Sequence, residues 1–313
     1  MSLKEQTVLV TGALGVIGQR LTERLRADGY TVVGADLAVR DYSDYVRADV
    51  LHYEDLHRIG RDHDIGAVIH MAGEVGRMVG ETHPQRMIQV NGVGSTHVAQ
   101  FCLEHDAKMV FFSTSEVYGH LLDSGEPVEE SIADEKLTAF STTNIYALSK
   151  LFAEGIIRHH VDNYGLRAAT IRPFMVYGPG EVPSKWRSAM TRFVHAARHG
   201  HEITVHKGAV RSWCFVDDFI SGVRLVLEAD QDGYEAYNIG NDEYFTMEEV
   251  ARMIWDVCAA DPDLIEVVEP PNRFMSLVKK ASIDKVRALG YEPETSTLEG
   301  ITEVVKWQEN SGF

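Results

Sequence analysis

The run Gly12-x-x-Gly15-x-x-Gly18 restricts this chain more than any other feature. It stands between Thr7-Val8-Leu9-Val10, a β-branched and apolar run, and a stretch with Leu21 and Leu25 four apart on one helical face. Placed between a strand and a helix, glycines at this spacing form a turn that a phosphate can enter. Gly12 permits the tight turn. Gly15 removes a side chain where a pyrophosphate approaches the backbone, and Gly18 lets the helix lie close to the strand. The helix N-terminus adds unpaired N–H groups and a positive dipole end, so Val16 and Ile17 join the candidate phosphate-side residues. Asp36, eighteen residues past Gly18, closes the next strand, Thr31-Val32-Val33-Gly34-Ala35. A carboxylate there accepts hydrogen bonds from ribose hydroxyls and repels a 2′-phosphate. The turn therefore predicts a dinucleotide, with NAD favoured over NADP, and with Leu37 beside it.

Further buried-strand candidates follow at Ala67-Val68-Ile69-His70, Met109-Val110-Phe111-Phe112 and Ala168-Ala169-Thr170-Ile171. Helical stretches lie between them near 84–105 and 144–164. Strands alternating with helices predict an α/β fold with a doubly wound parallel sheet covered on both faces. After Arg172-Pro173 the pattern changes. We expect a helix over 186–199, a short strand at Ile203-Thr204-Val205, helices over 217–229 and 246–259, an irregular stretch over 260–280, and a final helix near 298–309. This divides the chain into an NAD-binding domain, 1–172, to which 203–240 returns, and a smaller C-terminal substrate lobe, mainly 173–313. With 313 residues, 44% of them hydrophobic, a sizeable core is available.

The net charge of −17 argues against a nucleic-acid partner, which needs a basic surface. No stretch reaches the roughly 20 apolar residues that span a bilayer, and no signal-peptide pattern opens the chain. Cys102, Cys214 and Cys258 are odd in number and far apart, and predict reduced thiols in a cytoplasmic protein.

Tyr146 and Lys150 stand four apart in a predicted helix and so share one face. A nearby ammonium and a positive nicotinamide ring both favour a phenolate, which would prepare Tyr146 for proton transfer. The pair follows the strand that ends in Ser113-Thr114-Ser115, at a distance that suits one crevice.

These motifs together resemble an extended short-chain dehydrogenase/reductase of the NAD-dependent epimerase/dehydratase family, which modifies nucleotide-diphosphate sugars. The resemblance runs through the glycine turn, Asp36, Asp49-Val50, His70-Met71-Ala72-Gly73, Asn91, Ser113-Thr114-Ser115-Glu116-Val117-Tyr118-Gly119, Tyr146/Lys150, Arg172-Pro173-Phe174, Tyr177-Gly178-Pro179 and Arg211-Ser212-Trp213-Cys214-Phe215-Val216-Asp217-Asp218. It implies a Rossmann-type sheet with a smaller C-terminal α/β substrate lobe, tightly bound NAD, and pairing into a homodimer through a helix bundle. It implies Asp49 and Val50 beside the adenine, with Met71, Ala72, Gly73, Asn91, Ser113 and Pro173 also around the cofactor. Lys150 would bond the nicotinamide ribose. Thr114 would bond the substrate O4, and Arg211, with Arg273 as a second candidate, would meet substrate phosphate.

The family's shared chemistry oxidises the sugar C4 hydroxyl, whose proton Tyr146 would take. The Thr114-Ser115-Glu116 run resembles that of UDP-glucuronate decarboxylases and sugar 4,6-dehydratases, where a glutamate serves as the base at C5. Glu116 therefore favours C5/C6 chemistry, decarboxylation or dehydration, over C4 epimerisation. Three positions depart from those patterns. Dehydratases usually carry Asp where Ser115 stands, decarboxylases commonly carry Arg where Thr143 stands, and Met175 replaces a polar Asn that contacts substrate. Met175 also keeps open a dehydrogenase or reductase of a non-sugar substrate. A non-catalytic NAD-binding regulator is the alternative of another class, and loss of Tyr146 or Lys150 would have marked it.

Other features have plainer readings. His195 and His199, with His201 and His206 after them, suggest a solvated helix face more than a zinc site. Arg187, Arg192 and Arg198 read as surface charge, and Cys214 as a packed thiol. Trp186 reads equally as a base-stacking or a lobe-core residue. No metal is expected.

Overall fold

A computed structural model describes residues 3–41, 43–132, 142–184, 187–231, 233–270 and 276–313. Arg273 and Trp186 lie outside the described residues.

Six strands build most of a central parallel sheet: β1 (Thr7–Thr11), β2 (Thr31–Asp36), β3 (Tyr45–Arg47), β4 (Ile65–His70), β5 (Lys108–Phe112) and β6 (Ala168–Pro173). The strand Glu235–Ile239 adds a seventh at the β6 edge, and the order is Glu235–Ile239, β6, β5, β4, β1, β2, β3. Every pairing in this sheet is parallel. The strands are apolar because both faces are covered. Val8 and Val10 face one core and Leu9 the other, the period of two that a pleated strand imposes. The order reverses between β1 and β4, which opens a crevice at their carboxyl ends.

Later strands build a second unit over those ends. Val210–Ser212 pairs antiparallel with Tyr244–Thr246 and parallel with Val278–Lys279. Ile203–His206 pairs in parallel with Ile265–Val268. Helices Ala189–His199, Met247–Cys258 and Thr297–Asn310 pack around them. Thr246 and Ser296 open the last two with reciprocal capping boxes to Glu249 and Glu299. The core is continuous into this unit through Trp213, Trp255 and Tyr291.

The stretch 260–280, expected to be irregular, holds two short strands. Each is stabilised by pairing with a distant edge, which composition does not reveal. A short helix, Arg77–Thr82, precedes the helix Pro84–Ile88. Gly80 is required there, since a Cβ would come 3.0 Å from the Tyr146 backbone nitrogen. No helix of the described residues is long and apolar enough to cross a membrane.

Candidate active site

The glycine turn follows β1. Gly12 has φ +74°, and a Cβ on it would stand 2.8 Å from the Ala72 nitrogen. A Cβ on Gly18 would stand 2.3 Å from the Gly12 carbonyl oxygen, so helix Val16–Ala27 packs against the turn only with glycine here. Gly15 sits at the N-cap of that helix and offers no capping side chain, leaving the first N–H groups facing the crevice. Asp36, at the end of β2, accepts from the Leu14 N–H at 3.0 Å and the Leu37 N–H at 2.7 Å. Its carboxylate is thus fixed beside the turn with lone pairs to spare. Asp49 closes a local turn on the Leu51 N–H at 2.9 Å, and the buried Val50 accepts from His97 Nδ1 at 2.9 Å.

Met71, Ala72 and Gly73 leave the end of β4. A Cβ on Gly73 would meet Asn91 Oδ1 at 2.8 Å and Lys150 Nζ at 3.2 Å. Asn91 is fully buried and lies in a π-helical turn, Gln89–Gly94, whose extra residue turns its amide inward. Its Oδ1 accepts from the Glu74 N–H at 2.9 Å, and its Nδ2 lies 2.9 Å from Ser149 Oγ. Ser149 in turn donates to the Tyr146 carbonyl. A second buried chain runs Thr11 Oγ1, His70 Nδ1, His70 Nε2, Ser95 Oγ and the Asn91 carbonyl, at 2.8, 3.0 and 2.6 Å. Burial, with the Lys150 charge adding to it, lowers the His70 pKa to about 3, so its ring is neutral. His70, Ser95 and Ser149 are contributors the sequence reading gave no role. Only the His70 position within a quoted motif pointed to any of them.

Helix Ile145–Tyr164 carries Tyr146 and Lys150. Asn144 caps it, its Oδ1 accepting from the Ala147 N–H at 2.9 Å. Arg172 forks onto Glu154 in this helix at 3.1 and 2.7 Å, fastening it to β6 in the interior. Lys150 Nζ donates to the Phe112 carbonyl at 2.8 Å, and burial lowers its pKa to about 8 against the charge of Glu154. Its remaining N–H groups face Gly73. Ser113 Oγ, buried nearby, has no hydrogen-bond partner among the described residues. This orphaned hydroxyl and the cradles at Gly12 and Gly73 fit a dinucleotide with its ribose at Lys150.

Tyr146 is buried, and burial pushes its phenol up to about 12; a hydrogen bond with the Thr114 side chain lowers it, and the Glu116 charge raises it. Thr114 caps a 3-10 segment, Ser115–Ser124, through a 3.2 Å bond from the Glu116 N–H to its Oγ1. Ser115 is the buried first residue of that segment. Glu116 is held on both oxygens: Lys279 Nζ donates to Oε1, and Asn144 Nδ2 donates to Oε2 at 3.3 Å. Burial opposes its ionisation, but the charge and hydrogen bond of Lys279, with Arg77 and Arg211, hold its pKa below the ordinary value. Arg211 is buried and donates to the Val210 and Leu277 carbonyls at 2.8 and 2.5 Å. Burial lowers its pKa to about 10.

The structure thus places Tyr146, Lys150, Thr114, Ser115, Glu116 and Arg211 around one crevice. Pro173 ends β6 on the same side of the sheet. Met175 follows with φ +37°, a left-handed conformation uncommon for a side chain of this kind.

The model of the NAD dependent epimerase/dehydratase family matches residues 8–240. The chain belongs to that family. Its cofactor is NAD, in keeping with the NAD complexes among its structural neighbours. Among curated relatives, the epimerase/dehydratase chain is 26% identical to UDP-N-acetyl-alpha-D-glucosaminuronate decarboxylase of Bacillus cytotoxicus, covering 96% of each. It is also 26% identical to UDP-glucuronic acid decarboxylase 6 of Arabidopsis thaliana, over 94% of this chain and 86% of the relative. In structure it is similar to UDP-glucose 4-epimerase of Thermus thermophilus with NAD, at a TM-score of 0.86 and 26% identity, covering 97% and 99% of the two chains. It is likewise similar to dTDP-glucose 4,6-dehydratase of Streptomyces venezuelae with NAD, at 0.85 and 26%, covering 97% and 98%. Nucleotide-sugar modification is the activity these relatives share; this chain is a member of the NAD dependent epimerase/dehydratase family of enzymes.

Away from the crevice, His195, His199 and His201 cluster with ring centroids 4.3 to 6.4 Å apart, His199 and His201 stacked and His195 tilted or edge-on to them. Among the described residues no group of three His, Cys, Asp or Glu is placed to hold a metal. A cavity of about 500 Å³ at the Glu235–Ile239 edge is lined by Glu130, Arg172, Glu235 and Lys285 among others and contains none of the crevice residues except Arg172, which is fastened to Glu154.

Proposed function

We propose that this enzyme oxidises C4 of a nucleotide-diphosphate sugar to a ketone and then acts at C5/C6, releasing carbon dioxide or water. The observation that carries this reading is Glu116: an ionised carboxylate, pinned on both oxygens, beside the Tyr146–Thr114 pair. A chain that only inverted C4 would have no use for an oriented carboxylate there. The decarboxylase names of two relatives support the same reading.

NAD, when bound, would accept the C4 hydride and give it back to C4 after carbon dioxide is lost, or to C6 in place of the hydroxyl lost as water. Gly12, Gly15, Val16, Ile17 and Gly18 would meet its phosphates, Asp36 and Leu37 the adenosine ribose, Asp49 and Val50 the adenine. Met71, Ala72, Gly73, Asn91, Ser113, Pro173 and Lys150 would hold the nicotinamide end. Thr114 would hold the O4 hydroxyl and Tyr146 accept its proton. The 4-ketone then makes the C5 proton acidic, or, on a uronate, takes the electron pair of the C5–C6 bond as carbon dioxide leaves. Glu116 would act on the C5 side, with Ser115 beside it. Arg211, through its N–H groups not used on carbonyls, would meet an anionic part of the substrate, and Met175 would line the crevice. The central-sheet unit carries NAD and the later strands cover the sugar.

Ile88, Val93 and Phe152 are exposed on adjoining helices, and Phe152 packs against Gly92. This apolar face supports a homodimer. The free Cys102, Cys214 and Cys258 suit a reducing cytoplasm.

The test is incubation with UDP-glucuronate, dTDP-glucose and UDP-glucose, reading products by mass. Loss of carbon dioxide or water is expected from one of the first two; C4 inversion of UDP-glucose alone would reject the reading. Tyr146→Phe should abolish turnover, by a factor of about a hundred or more, while NAD binding is retained. Full turnover in that variant would remove Tyr146 from its role.

A further inference from the structure

Lys279 lies beyond every motif used so far, yet its ammonium is buried against Glu116. It arrives on the strand Val278–Lys279, which pairs with Val210–Ser212 so that Lys279 and Arg211 are register partners. Parallel neighbours in register present their side chains to the same face, so both cations stand on the Glu116 side, where Lys279 bonds the carboxylate and Arg211 acts on it by charge alone. Asn144, which caps the helix carrying Tyr146, takes the other oxygen. Glu116 is therefore spanned between the lobe and the Tyr146 helix.

We propose that Lys279 is the positioning residue that keeps Glu116 a charged, oriented carboxylate at the Tyr146–Thr114 end of the crevice. The inference rests on the C5/C6 role proposed for Glu116. A glutamate in this interior is asked to shed its charge, because burial disfavours ions. Among the described residues, the charged and titratable groups facing it are Lys279 and Arg211 from the paired strands, Arg77 from helix Arg77–Thr82, and Tyr146 from helix Ile145–Tyr164. Of the three cations, Lys279 has the largest effect on Glu116 and is the one hydrogen-bonded to it. Arg211 spends one nitrogen on two backbone carbonyls and is held at the strand rather than on the carboxylate. Losing Lys279 would leave one oxygen without its partner and a carboxylate that holds its proton at higher pH. A protonated Glu116 neither accepts the C5 proton nor keeps its orientation on Asn144.

The experiment compares wild type, Lys279→Met, Lys279→Arg and Lys279→Gln as full-length proteins with NAD bound. The Glu116 carboxyl is titrated by carbon NMR of labelled glutamate, assigned by its loss in Glu116→Gln. In wild type it should stay ionised through the neutral range. In Lys279→Met its midpoint should rise by about one pH unit or more, and Lys279→Arg should restore it. With UDP-glucuronate and dTDP-glucose as probes, Lys279→Met should still reduce bound NAD in a single turnover. Release of water from dTDP-glucose, the step in which a base must take the C5 proton, should fall about a hundredfold, with its acidic limb moved to higher pH. An unmoved Glu116 midpoint in folded Lys279→Met and Lys279→Gln would overturn the proposal. So would a parallel loss of both steps with NAD binding intact. A wild type that only inverts C4 of UDP-glucose would reject the C5/C6 reading, while the titration still decides whether Lys279 sets the Glu116 charge.

Discussion

At the level of single residues, the crevice sets two ionisable groups against each other. Burial raises the Tyr146 phenol, Thr114 draws it down, and Glu116 raises it further. From the sequence, the Lys150 ammonium is expected to favour the phenolate; in the structure the group that draws the phenol down is the Thr114 side chain, and Lys150 donates one N–H to the Phe112 carbonyl. Removing the Glu116 charge should therefore favour the phenolate. In Glu116→Gln, the pH at which C4 oxidation reaches half its limiting rate should move down, read as reduction of bound NAD in a single turnover. A midpoint that stays put would mean Lys279 already cancels the carboxylate at Tyr146. Tyr146 and Lys150 were legible in the sequence through their spacing on one helix face, and Thr114 and Glu116 through the family resemblance of the run after Ser113. Asn144, Ser149, Ser95 and Lys279 were not. Their positions follow from packing between distant segments, and a lone lysine or asparagine has no local pattern.

Among the elements, the strands of the central sheet were legible because each is an apolar run buried on both faces. The short strands at 210–212, 244–246 and 278–279 have too few residues for alternation to register, and they exist only as partners of one another. Helix ends gave a mixed result. Ser188, Thr246 and Ser296 cap their helices as such residues commonly do. Helix Met247–Cys258, however, ends on Ala259 in the left-handed conformation, φ +49°. Alanine pays there for a Cβ that glycine lacks. Ala259→Gly should stabilise the protein by about 0.5–1 kcal/mol, measured as a higher urea midpoint with unchanged slope. Equal or lower stability would show that the entropy of the unfolded glycine chain outweighs the relief.

For the whole molecule, Ile88, Val93 and Phe152 form one apolar face among the exposed apolar side chains of the described residues. A stable dimer buries on the order of 1,200–2,000 Å² in all, and the proposed interface centres on this face. Phe152→Glu should leave the fold and NAD binding in place and convert a dimer into a monomer in sedimentation. Wild type that sediments as a monomer would refute the interface.

The pair Glu116–Lys279 has one more consequence. The family match ends at residue 240, and Lys279 lies outside it. What marks this chain's ancestry and the cation that pairs with Glu116 are written in separate stretches. A descendant can exchange the cation on the edge strand at 278–279 while every inherited signature stays intact. Kinship among such enzymes then predicts the hydride they move better than the molecule they release.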